Sequence, residues 1–426
     1  MKRNYIKKTL KNGVKLYLYP DKKMKQYYVD YMIDYGSSGK WFDFFLDDKL
    51  HHVLPGCAHF LEHMLGEHSK YGDFYSYLET KKYFKNAETG FDITHYFFRD
   101  TEDVLVSIKR IIHIVDDPVF TKKDVEETKH AIIEETKRAQ NNKIRCLLGV
   151  MERNLYKNLN LYTETLATIG NEQTTKDITY EMLKTCYDAF YYDENKTLLI
   201  AGPFDEKEMT DYVESIYSKL KPHKKRLKEF KYNNLDKIKQ KYDTVYKSTN
   251  DEIIGLCFKE LNKDYTKNEI RYYLRFIFDS LFSEASDFKK RLKEKDILVY
   301  LNGFDKYFIN KNYYHFNFIA TVKDKKKFEK ELIKELKNKV YNERDFNLFV
   351  RSLIGSEALK IDNKYQTFYN FVIAKEYNDN FDDIEFLKKL KFERFLEFYK
   401  TLNFDDYVVG IVSDIERWLY ENISKD

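Results

Sequence analysis

Apolar positions in this chain recur with two periods. Around residues 57–66, Ala58, Phe60, Leu61, Met64 and Leu65 leave a segment apolar on most of its sides, which predicts a buried helix. From Asp124 to Ala139 the period is amphipathic: Val125, Ala131, Ile132 and Ala139 fall on one side, and Glu127, His130, Glu134 and Arg138 on the other. Strand signals are shorter. His95 alternates with aromatic residues in His95-Tyr96-Phe97-Phe98, and Thr197–Gly202 forms a short apolar run that ends at the turn Pro203-Phe204-Asp205.

These patterns occur twice. His95-Tyr96-Phe97-Phe98, Thr101 and a helix through Ile114 are echoed by His315-Phe316-Asn317-Phe318, Thr321 and a helix through Val340. Thr197–Gly202 is echoed by Tyr407–Asp414. The repeat predicts an α+β chain of two domains of similar build, 1–222 and 241–426, joined by a polar, lysine-rich linker near 223–240.

With 43% apolar residues over 426 positions, the chain can bury a large core. Its net charge of +4 is small beside 74 basic and 70 acidic residues, so nucleic acid is not an expected partner. Residues 1–11 are charged throughout, unlike a signal peptide, and no run approaches the ~18 apolar residues of a membrane span. A cytoplasmic location with no membrane partner is therefore expected. The four cysteines are far apart, which argues against a disulfide framework or a cysteine zinc site; Cys57, two residues before His59, is read as a small core residue.

The candidate chemistry lies in the buried helix. His59-Phe60-Leu61-Glu62-His63 is an H-x-x-E-H sequence, the inverzincin signature. Positions i and i+4 share a helix face, so both imidazoles can meet one metal ion, while Glu62, not itself a ligand, can act as general base. A catalytic zinc needs a third protein ligand. Within 124–139, Glu134 belongs to the polar stripe, with His130 and Arg138. Glu135 sits three residues after Ile132 and four before Ala139, so it points inward and is the favoured third ligand. His95 and His130 are rival donors.

The blocks Pro55–Leu65, then Asn86-Ala87, Thr89, Thr94 and Tyr96, then Asp117-Pro118, Phe120 and Glu134-Glu135, resemble the family of pitrilysin, insulin-degrading enzyme and mitochondrial processing peptidase, above all its short bacterial members. The resemblance runs from Tyr5 to the C-terminus. It implies two homologous domains, each a mostly antiparallel sheet flanked by helices, closing as a clam-like chamber. It further implies one Zn2+ per chain on His59, His63 and Glu135, with Glu62 as base. An extended peptide would add to a strand near Asn86–Thr94, with Asn86 and Ala87 at the substrate. In the second half, Lys293 and Tyr300 stand where the family grips the substrate with an arginine and a tyrosine. Three departures from the family pattern are visible. Thr128 replaces a glutamate, Lys293 replaces the arginine, and the His63–Glu135 spacing is a few residues short, as a trimmed loop at 81–85 would make it.

The expected function is a zinc endopeptidase acting on peptides or short unfolded segments. The alternative is a non-catalytic or weakly active peptide-binding subunit of a heterodimeric protease. The resemblance implies a homodimer or a heterodimer with a related subunit.

Overall fold

The structure, a computed structural model, describes residues 5–38, 41–81, 84–102, 104–156, 168–231, 237–308, 313–362, 368, 371 and 383–415. The chain forms two compact units, residues 1–139 with 167–231 and residues 140–166 with 232–426.

In chain order the first unit contains β1 (Ile6–Thr9), β2 (Lys15–Pro20), β3 (Tyr27–Ile33), β4 (Asp43–Leu46), β5 (Lys49–His52), α1 (Cys57–Glu67), α2 (Phe74–Thr80), β6 (Lys85–Thr89), β7 (Thr94–Asp100), α3 (Val104–Asp116) and α4 (Lys122–Gln140). The chain then contributes α5 (Lys143–Leu155) to the second unit. It returns with α6 (Glu172–Asp177), α7 (Tyr180–Phe190), β8 (Lys196–Gly202), α8 (Glu206–Tyr217) and β9 (Leu227–Glu229). Six strands form a sheet in the order β1-β2-β8-β3-β7-β6, and β5-β4-β9 form a small second sheet. Strand alternation drives the assembly. Leu16 and Leu18 of β2, Val29 and Tyr31 of β3, and Tyr96 and Phe98 of β7 enter one core with Phe60, Leu61, Met64 and Leu65 of α1.

The second unit adds β10 (Tyr242–Lys247), β11 (Glu252–Leu261), α9 (Lys267–Phe282), α10 (Asp287–Glu294), β12 (Leu298–Phe308), β13 (Tyr313–Val322), α11 (Lys325–Asn338), α12 (Glu343–Asp362), α13 (Asp383–Leu387), α14 (Phe392–Thr401) and β14 (Tyr407–Asp414). Its sheet order is β10-β14-β11-β13-β12. This repeats β2-β8-β3-β7-β6 strand for strand, with the first pair parallel and the rest antiparallel in both units. The fold is thus α+β, two units of common build with mostly antiparallel sheets and flanking helices. The echoed segments found in the sequence are β7 with β13 and β8 with β14.

The units are not the contiguous blocks 1–222 and 241–426 expected from sequence. Helix α5 groups with the second unit because β11 and β14 present bare glycines to it. A Cβ on Gly255 would lie 2.5 Å from Met151 Sδ, and one on Gly410 would lie 2.8 Å from Leu147 Cδ1. Arg153 and Asn154 of α5 also donate to Asp243 of β10, at 2.5 and 2.7 Å. Within the expected linker, Leu227–Glu229 is strand β9 paired with β4, and residues 232–236 lie outside the described residues. So do residues 82 and 83 of the expected trimmed loop. The single strand anticipated over 86–94 is a hairpin of β6 and β7 turning at 90–93. Ala131, assigned to the apolar side of α4, is exposed. Among the described residues, no helix is long and apolar enough to cross a membrane.

Candidate metal centre

Helix α1 starts at Gly56, whose φ of 94° lies in the left-handed region that favours glycine. The helix then buries Cys57, Ala58, Phe60, Leu61, Met64 and Leu65. That packing fixes its rotation and leaves His59, Glu62 and His63 on one side. Helix α4 buries Val125, Thr128, Ile132, Thr136 and Ala139 and brings Glu135 to the same place. The ligand atoms of His59, His63 and Glu135 lie within 4.8 Å of one another, the one such cluster of three found among the described residues.

The distances suit a cation better than direct pairing. Glu135 Oε2 is 3.5 Å from His59 Nε2 and 3.6 Å from His63 Nε2, longer than hydrogen bonds. Two tetrahedral zinc ligands, each about 2.0–2.2 Å from the ion, stand about 3.3–3.5 Å apart. The donor set, two imidazoles and a carboxylate, is that of a hydrolytic zinc site with one position left open. Glu135 is less enclosed than its sequence position predicted, with 40% of its side chain exposed, so it closes the site from the rim.

Charge in the site points the same way. Three carboxylates, Glu62, Glu67 and Glu135, surround the two imidazoles. Burial by itself lowers the pKa of His63, but Glu135 and Glu67 outweigh it and hold the group at about 10. The nearby His63 ring, with His59 beside it, holds the Glu135 carboxyl below its usual range. A divalent cation would satisfy the same excess of negative charge.

Glu62 is buried, and burial pushes its carboxyl up against the opposing pull of His63 and Thr89. The Thr89 hydroxyl donates to Glu62 Oε2 at 2.7 Å, tying the expected base to the end of β6. Glu67 Oε1 lies 2.7 Å from His63 Nδ1, which places the donor proton on Nδ1 and frees Nε2 for a metal. Neither role was recognised in the sequence. Glu67 could have been found, because it sits four residues after His63 on the same helix; the Thr89 contact spans 27 residues and leaves no local signal.

The rival ligands have other places. His95 is buried on β7, its Nδ1 3.1 Å from both oxygens of Asp30 and its Nε2 3.6 Å from Glu88. His130 is exposed on α4, and Cys57 is buried outside the cluster. Glu134 pairs with Lys137 at 2.8 Å, and Arg138 adds a weaker charge attraction. Asn86 is exposed on β6, where its side chain donates to Glu88 Oε1 at 3.2 Å; Ala87, beside it, is partly buried against the core. Among the described residues, strand β6 is the last strand of its sheet and pairs with β7 alone. In the second unit, Lys293 is exposed near the end of α10, and Tyr300 is 54% exposed on β12 beside a register shift. A cavity of about 1250 Å³ among α3, α7 and α8 shares no residue with the metal cluster.

Residues 51–169 match the family described as "Insulinase (Peptidase family M16)", and residues 177–352 match "Peptidase M16 inactive domain". The latter description fits the sequence, since His315 is the sole histidine after His223 and no second H-x-x-E-H exists. An uncharacterised zinc protease of Bacillus subtilis, YmfH, is 29% identical over 305 residues, covering 70% of this chain and 69% of that protein. Among solved structures, an M16-like peptidase from Alicyclobacillus acidocaldarius aligns with a TM-score of 0.83 at 21% identity, over 96% of this chain and 98% of the other. Pitrilysin aligns with a TM-score of 0.73 at 15% identity, over 97% of this chain and 45% of the other.

Proposed function

Because this chain belongs to the insulinase family of M16 peptidases, we propose that it is a zinc-dependent endopeptidase acting on peptides or short unfolded segments. The observation that carries this reading is the convergence of His59, His63 and Glu135 within 4.8 Å around a buried Glu62. Zinc, when bound, supplies the Lewis acid that polarises water and the scissile carbonyl. His59, His63 and Glu135 would hold it, and the Glu67 carboxylate keeps the His63 ring in the competent tautomer.

Glu62 takes the proton of the attacking water and returns it to the leaving amine. The Thr89 hydroxyl holds Glu62 Oε2, so the rotamer of the base is set before substrate arrives. The open side of β6 accepts an extended peptide by main-chain pairing, which demands little of the sequence being cut. Asn86 and Ala87 lie on that strand and would meet the peptide directly. Lys293 and Tyr300 are assigned as further substrate contacts, the lysine with less directional bonding than an arginine fork.

A peptide-binding role within a heterodimer is the second reading, favoured by Thr128 and Lys293 at positions where the family pattern has glutamate and arginine. Metal analysis and cleavage of a quenched peptide library, on the chain and on Glu62→Gln, separate the two. The peptidase reading expects about one zinc in each protein and cleavage by the parent alone. Zinc in both with cleavage by neither supports the binding subunit, and a second copy or a related chain would then be sought as the active partner.

A further inference from the structure

We propose that His68 and Thr128 form a positioning contact that sets the reach of Glu135 to the metal, an inference that rests on Glu135 being a ligand. Two imidazoles ride on α1 and the carboxylate on α4, so the site is only as well formed as the register between these helices. Thr128 and Glu135 are seven residues apart, which at 3.6 residues per turn puts them within about 20° of one face, and Asp124 lies one turn before Thr128. The face of α4 that offers Glu135 to His59 and His63 therefore offers Thr128 and Asp124 to the end of α1.

There it meets His68, the residue that caps α1 and whose backbone N–H donates to Met64 O at 3.1 Å. The His68 ring lies between two groups of α4. Its Nε2 is 3.2 Å from Thr128 Oγ1, and its Nδ1 is 3.6 Å from Asp124 Oδ1. Asp124 is itself fixed, its Oδ2 accepting from the Thr121 amide at 2.7 Å and the Thr121 hydroxyl at 2.8 Å. The chain on either side adds two ties, a bridge between Ser69 and Pro118 and an ion pair between Lys70 and Asp117.

Geometry gives this anchor leverage. From Thr128 to Glu135 the helix rises about 10.5 Å, so a 10° tilt pivoting at Thr128 displaces the ligand by about 1.8 Å. Metal coordination tolerates about 0.2 Å. Few apolar contacts resist that tilt, since Val125 and Ile132 are the large apolar side chains that α4 buries. Thr128 is a buried residue, and valine would fill its volume without the hydrogen bond. Thr128 thus holds in place the helix that carries the ligand, without touching metal or substrate.

The test uses the full chain and four substitutions: Thr128→Val, Thr128→Ser, His68→Gln and Glu135→Gln. Zinc affinity is read by chelator competition, ligand geometry from the absorption of the cobalt-substituted protein, and folding from the melting of the metal-free form. Thr128→Val is expected to weaken zinc about tenfold and to alter the cobalt spectrum, with the metal-free melting point little changed. Thr128→Ser should restore both, and His68→Gln should weaken zinc to a similar degree. Glu135→Gln should weaken zinc at least a hundredfold. Parent-like zinc and cobalt behaviour in Thr128→Val, beside a Glu135→Gln that has lost zinc, overturns the positioning role and leaves the ligand reading intact. Parent-like affinity in Glu135→Gln overturns the ligand reading, and this inference with it. If Thr128→Val does not fold, His68→Gln decides the matter by the same two readouts.

Discussion

Replacing Asp30 by asparagine tests whether a buried charge holds the first unit together. Asp30 and His95 are both buried on adjacent strands, β3 and β7, with His95 Nδ1 3.1 Å from each carboxylate oxygen. Tyr28 donates to Asp30 Oδ2 at 2.8 Å, and the His95 ring stacks on Phe97 with centroids 4.9 Å apart. Burial by itself would lower the imidazole, but Asp30 and then Glu88 outweigh it and hold it at about 10. The folded value is above the unfolded value of 6.5, so the stabilisation is complete below pH 6.5 and is lost as pH rises through 10. That rise sets a ceiling of roughly 5 kcal/mol. Losing one partner of a buried pair costs about 3–5 kcal/mol in general, so Asp30→Asn should destabilise the unit by about that much at pH 6. Near pH 10, where the imidazole is half neutral and nearly all of the linkage stabilisation is gone, the gap should shrink to about one ordinary hydrogen bond, ~1 kcal/mol. Urea unfolding followed by Trp41 fluorescence, in a background with Trp418→Phe, reads the first unit alone. Equal destabilisation at both pH values, or none at pH 6, would refute a charged His95.

Two further outcomes are expected. Glu67→Gln keeps an oxygen near His63 Nδ1 but removes the charge, and should weaken zinc about tenfold in chelator competition; unchanged affinity would mean that Glu67 does not orient the ring. Gly410→Ala puts a Cβ 2.7 Å from Met151 Cγ and 2.8 Å from Leu147 Cδ1 and should destabilise the second unit by about 1–3 kcal/mol in chemical unfolding, with Met151→Ala in the same chain relieving only the part owed to Met151. Additive losses would contradict the close approach of α5 to β14.

Local order along the chain was enough to bring together the inner residues of the candidate site. His59, Glu62 and His63 fall within one helical turn and a half, so the 3.6-residue period alone brings them together, and a glutamate on a second amphipathic helix could be chosen by its place in that period. The two-fold build was legible for the same reason, since β7 and β13, and β8 and β14, each carry their own apolar alternation. What required the tertiary structure was everything set by contacts distant in sequence. The Thr89 hydroxyl reaches Glu62 across 27 residues, and His68 reaches Thr128 across 60. His95 sits in a buried pair outside the metal cluster, because Asp30, 65 residues away, meets its Nδ1. The exposure of Glu135 depends on how deeply α4 is seated, which its own periodicity does not encode. The grouping of α5 with the second unit was hidden as well, because the signal lies in Gly255 and Gly410, where missing side chains admit Leu147 and Met151. Periodicity records which way a side chain faces within its own element, whereas the partner it meets is chosen by the packing of elements on one another.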